Sequence, residues 1–137
     1  MVATEKSYEG SCHCQKVRYR ITGEPGSLSH CHCTDCRKMH GAVFATYLEV
    51  PRKQLAYLQG EDQLGSFRAE SGTIRGFCRT CGSSLACWND GEPDTIYIAA
   101  GTLDTPLLKN PECHIWVRSR VPWFEIQDGL PQHQTSN

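Results

Sequence analysis

The chain has 137 residues, 39% of them hydrophobic and 21% charged, with a formal net charge of -1. That length suits one domain burying roughly 68–70% of its unfolded surface, and without a Lys/Arg run or basic stripe the charge pattern excludes a nucleic-acid binder. No 18-residue apolar run offers a membrane span, and the opening residues lack the apolar heart of a secretory signal, so the expected address is the cytosol. In a reducing compartment nine cysteines, an odd number, point to metal binding rather than a disulfide framework.

In chain order, residues 1–9 are polar and expected to be poorly ordered, residues 10–130 form the single domain, and 131–137 are a polar tail. Gly10 and Ser11 introduce a turn carrying Cys12-His13-Cys14. Residues 17–21 alternate apolar and basic, the period of a half-buried strand, and stop at Gly23-Glu24-Pro25-Gly26. A short strand at 27–30 leads into Cys31-His32-Cys33-Thr34-Asp35-Cys36. One helical turn is expected from Thr34 to His40, stopped by Gly41. Residues 42–50, 55–59, 65–69, 73–77, 84–88 and 95–100 then read as short strands bounded by Gly, Pro, Asn or Asp. Residues 111–117 and 121–126 read as edge strand or ordered coil laid over the sheets. No segment sustains a helical period over ordinary helix length, so the expected fold is mostly β, of short antiparallel sheets.

The cysteines fall into claws. Cys31, Cys33 and Cys36 converge from one tight turn, as a soft tetrahedral metal requires. Cys12 with Cys14, and Cys78 with Cys81, are two-thiolate claws that together complete a closed structural zinc site, with stabilisation on the order of 10 kcal/mol. The Cys78/Cys81 claw is also able to close the central cluster, but three plus two overfills one site. Counting therefore favours Cys12, Cys14, Cys78 and Cys81 for a structural zinc and Cys31, Cys33 and Cys36 for a second ion, two Zn²⁺ per chain. Cys87 and Cys113 read as small buried hydrophobes, with either open as a fourth ligand of the central site. His13 and His32 alternate away from the ligand sulfurs, His133 sits inert in the tail, and His30, His40 and His114 are candidate hydrogen-bond donors near the site.

GSCHCQKVRY, HCHCTDCRKMHG, FCRTCGSSL, NPECHIWVRSRVPWFEI and the closing DGLP, in this order over residues 10–131, resemble the glutathione-dependent formaldehyde-activating enzyme family, which shares its domain with centromere protein V. The resemblance implies a β-tent, two or three antiparallel sheets leaning together around a structural zinc on Cys12, Cys14, Cys78 and Cys81. It also implies a catalytic zinc on Cys31, Cys33 and Cys36. The implied activity is carbon–sulfur bond formation or cleavage between glutathione and formaldehyde.

Chemistry supports such a use. Three thiolates weaken the Lewis acidity of Zn²⁺, so activating water is not its best use, whereas a substrate thiol in the fourth position binds as thiolate at neutral pH. The expected partners are therefore a small thiol and a small aldehyde. His40, His114 and Arg37 are candidate proton donors by position, and Arg37, Lys38, Arg118 and Arg120 candidates for substrate carboxylates. The competing expectation is a non-enzymatic zinc module that binds a protein partner, distinguished by a protein side chain closing the central site.

Overall fold

The computed structural model describes residues 6–137. Two sheets carry the structure. The smaller has three strands in the order β1 (Ser7–Ser11), β2 (Arg18–Thr22) and β5 (Leu55–Gln59), all antiparallel. The larger has seven: β3 (Leu28–Cys31), β4 (Ala45–Pro51), β6 (Leu64–Arg68), β7 (Thr73–Cys78), β8 (Ser84–Asn89), β9 (Thr95–Ala99) and β10 (Cys113–Ile115). They lie in the order β10-β3-β4-β9-β8-β7-β6. The one α-helix among the described residues is α1 (Thr34–His40). No helix of the described residues is long and apolar enough to cross a membrane.

Alternation along the strands sets the architecture. In β2, Tyr19 and Ile21 are buried while Arg18 and Arg20 face solvent, the apolar/basic pattern of the sequence realised on a pleat. In the larger sheet, Leu28, Leu48, Val50, Ala86, Ile96 and Ile98 join Val17, Tyr19 and Ile21 in the main core between the sheets. Their odd-numbered neighbours Cys31, Ala45, Tyr47, Cys87 and Ala99 form a second buried cluster with Cys36, packed by Tyr97, Ile115 and Trp116. Along β4 and β9, even positions build the core and odd positions face the other way; on β8 the pairing slips at an irregularity opposite Gly76 and Phe77, and Leu85 and Ala86 both enter the main core.

One expectation about the ends is corrected. The first strand begins at Ser7, inside the segment expected to be poorly ordered, because Tyr8 is buried in the core and the strand pairs fully with β2; residues 1–5 lie outside the described residues. At the other end, the polar tail is hydrogen-bonded along β10: His114 N–H donates to Pro131 O and His133 N–H to His114 O, each at 2.9 Å. These bonds are main-chain, satisfying an edge that would otherwise lie open. β10 itself runs parallel to β3, a departure from the antiparallel expectation.

One turn restricts the backbone tightly. Gly60, in the turn after β5, has φ 78°, and a Cβ there would run into Lys16 O beside the first claw. Gly60→Ala is expected to cost ~2 kcal/mol or more, seen as a lower urea midpoint at unchanged slope; an unshifted midpoint would show that this turn relaxes freely.

Candidate active site

β3 ends at Cys31, the chain turns through His32 and Cys33, and α1 starts at Thr34. Cys33 caps that helix, its Sγ accepting from Cys36 N–H at 3.2 Å, and Gly41 ends it at φ 58°. The short helix thus returns Cys36 to the two preceding thiols. The sulfurs of Cys31, Cys33 and Cys36 all lie within 4.8 Å of one another, and among the described residues no fourth Cys, His, Asp or Glu donor joins them. Cys87 stands in the cavity wall, its thiol pushed up to about 11 chiefly by burial. Cys113 is buried two residues from Ile115, and neither is part of the group.

The claw floors a cavity of about 230 Å³, walled by Tyr47, Arg75, Cys87, Tyr97, Ile115 and Trp116. This is below the 300–1,000 Å³ of typical ligand pockets, room for the thiol arm of a substrate whose remainder lies outside. Arg75 is only 5% exposed. Its Nη1 donates to Tyr47 Oη at 3.0 Å, and Nη1 and Nη2 point at Cys36 Sγ at 3.5 and 3.6 Å. Burial opposes its charge, but the surrounding Cys36, Cys87 and Tyr47 outweigh burial and hold its pKa above the ordinary arginine value. A permanent cation therefore sits beside the thiols.

Arg75 was not among the basic residues the sequence pointed to. In the strand at 73–77 it occupies a position that alternation assigns to solvent, and only a sheet covered on both faces buries it. Of the four basic residues that were singled out, Lys38 is exposed, Arg118 lies 5.1 Å over the Trp116 ring, Arg120 donates to Val117 O, and Arg37 holds its Nε buried without a partner.

The histidines divide by sheet face. His40 does not line the claw cavity; its Nε2 lies 2.7 Å from Tyr47 Oη, one side chain behind the wall. His114, the other expected donor, faces away from the claw. It pairs with His30 in the β10–β3 register, whereas Ile115 pairs with Cys31, and successive strand residues point to opposite faces. There His114 Nδ1 meets His32 Nε2 at 2.8 Å and Nε2 meets Asp128 at 2.8 Å. The carboxyl of Asp128 is held below its usual range by that bond. His32 is fully buried, turned from the sulfurs on either side of it. His13 is exposed, and His30 bonds Thr46 Oγ1 at 2.7 Å.

The other group lies at the rim of the main core. The turn after β1 brings Cys12 and Cys14 to the β7–β8 turn carrying Cys78 and Cys81, with all four sulfurs within 4.8 Å. Sulfur separations are 3.6 Å for Cys12–Cys14 and 3.8 Å for Cys14–Cys78, against edges of about 3.8 Å in a tetrahedron with Zn–S near 2.3 Å. Val17 N–H donates to Cys12 Sγ at 3.3 Å, as suits a thiolate. The all-sulfur donor sets of both groups fit a soft tetrahedral ion. Four donors close the first set; three protein donors make up the second.

A family model described as "Glutathione-dependent formaldehyde-activating enzyme" matches residues 7–119. The chain belongs to that family. Among its relatives is a Halomonas elongata protein named "Putative glutathione-dependent formaldehyde-activating enzyme", 30% identical over 87% of this chain and 80% of its own length. An uncharacterized lyase of Schizosaccharomyces pombe is 28% identical over 57% of this chain and 55% of its own. The same fold is seen in a crystal structure of a Rhodobacter sphaeroides protein, with a TM-score of 0.61 at 21% identity over 73% of this chain and 91% of that one. All seven clustered cysteines lie within the matched residues.

Proposed function

We propose that the protein is a zinc-dependent carbon–sulfur lyase, joining or releasing a glutathione-like thiol and a small aldehyde such as formaldehyde. The observation that carries this is the claw of Cys31, Cys33 and Cys36 on a cavity floor, with no fourth protein donor among the described residues. Cys12, Cys14, Cys78 and Cys81 would hold a structural zinc, and the claw a second, catalytic one. Seven thiols that must stay reduced suit the cytoplasm.

Zinc at the claw supplies a soft site that takes a substrate thiol as its thiolate. The protein does the rest by position. Three ligand thiolates and one substrate thiolate leave the site with surplus negative charge, and Arg75 offsets it from 3.5 Å. Ile115, Trp116 and Tyr97 supply apolar wall, limiting water access to the reacting sulfur. Addition forms the S–C bond, moves the carbonyl π pair to oxygen, and calls for one proton there; the reverse reaction returns the S–C pair to sulfur. Small aldehydes and thiols add without a catalyst, so holding the two together is the main contribution.

Thiol capture is testable directly. With cobalt in place of zinc, glutathione is expected to shift the visible spectrum of the protein, and Cys33→Ser to abolish the shift. A cobalt spectrum indifferent to millimolar glutathione would sink the proposal and favour a purely structural second ion.

A further inference from the structure

The oxygen that takes up charge in this chemistry needs a proton, and the wall of the claw cavity holds a side chain placed to supply it; the inference rests on the function proposed above. Tyr47 lies on β4, buried, on the face of the sheet that carries the claw. Its Oη lies 3.0 Å from Arg75 Nη1 and 2.7 Å from His40 Nε2. A guanidinium only donates, so Oη accepts from Arg75 and shares one proton with His40. Tyr47 lines the claw cavity, whereas His40 lines a second, open cavity of about 530 Å³ with Met39, Ser84 and Thr102. A single hydrogen bond joins the two spaces.

We propose that Tyr47 is the catalytic proton donor and acceptor of the lyase reaction, and that His40 relays the proton between Tyr47 Oη and solvent in the second cavity. In the adduct-forming direction the sulfur pair forms the S–C bond, the π pair moves to oxygen, and that oxygen takes the Tyr47 Oη proton. Oη then takes the Nε2 proton of His40 while Nδ1 takes one from water. Cleavage runs the same path backwards, with Nδ1 releasing its proton to water. No electron leaves or enters the site, and water is the only co-reactant.

The surroundings suit the two roles. Burial pushes the Tyr47 phenol up, so the hydroxyl is present at neutral pH, and the Arg75 cation lies against the oxygen when it gives up its proton. Burial, with Arg75 second, lowers His40 below the ordinary histidine value, leaving a neutral ring with one nitrogen free to take a proton while the other gives one. The path also lets protons cross without opening the claw cavity to bulk water.

Tyr47→Phe in the zinc-loaded protein is expected to lower kcat by about 10²–10⁴-fold, with zinc content, circular dichroism and the midpoint of the glutathione-induced cobalt shift unchanged. The His40 ring ¹⁵N resonances should move with loss of the bond at Nε2. His40→Ala is expected to lose about 10-fold or more, recovered by added imidazole entering the second cavity. Tyr47→Phe within threefold of wild type, unmoved His40 resonances, or failure of imidazole to restore His40→Ala overturns the relay while leaving the function standing. A wild type that binds glutathione but turns over no thiol–aldehyde adduct overturns both.

Discussion

Cys81→Ser is expected to give a protein that does not reach a stable fold, while Cys33→Ser folds, retains about one zinc per chain and makes no adduct. The asymmetry follows from where the two groups sit. Cys12 and Cys78 are part of the main core, and their group ties the turn after β1 in the small sheet to the β7–β8 turn in the large one. Losing a ligand there removes binding on the order of 10 kcal/mol that counts as folding free energy, comparable to the whole stability of a domain, about 5–15 kcal/mol. Cys33 belongs to the smaller cluster and also caps α1; a serine hydroxyl caps a helix at least as well, so the helix survives while the metal is lost. Zinc content by mass spectrometry, with far-ultraviolet circular dichroism, reads both variants. Equal loss of folding in the two would show that the sites do not divide structure from chemistry.

Arg75→Met should weaken metal binding at the claw by about 10–100-fold, the usual consequence of removing an outer partner of a ligand, and leave the four-cysteine site unchanged. The side chain is 5% exposed, with both terminal nitrogens directed at Cys36 Sγ. Methionine fills much of the volume but leaves the claw's negative charge without its counterion in a poorly solvated place. Lysine should rescue poorly, because one ammonium cannot reproduce a fork that spans Tyr47 Oη and Cys36 Sγ. Competition with a chromophoric chelator separates a weak site from a tight one; two sites of unaltered affinity in Arg75→Met would remove Arg75 from the metal's support. Turnover should drop further than thiol binding, since the cation also holds the Oη of Tyr47, the proposed proton donor, at 3.0 Å.

The sequence made the claws legible because their chemistry is local. Cys31, Cys33 and Cys36 lie within six residues, and a turn of that length can only bring them together. Strand positions were equally readable from alternation and from the Gly and Pro boundaries, and the α1 stop from Gly41. What was hidden depends on contacts far apart in the chain. Arg75 reaches Tyr47 and Cys36 across 28 and 39 residues, and its burial follows from β7 being an inner strand with a covered outer face. His114 was a candidate donor by position, yet the parity of β10 turns it to the face opposite the claw. His40 was a donor candidate by sequence proximity; the structure puts Tyr47 between it and the cavity. The pairing of the tail along β10 is main-chain, and so leaves no trace in side-chain polarity.

Along β4 and β9, even-numbered side chains hold the two sheets together and odd-numbered ones belong to the cluster that carries the thiols. This parity uncouples inheritance of the scaffold from inheritance of its substrate. A lineage, or a directed-evolution library, can vary Tyr97 or Cys87 to admit bulkier aldehydes or other thiols while Leu48, Val50, Ile96 and Ile98 stay as they are. Diversification confined to one parity would explore new reactants at little risk to folding.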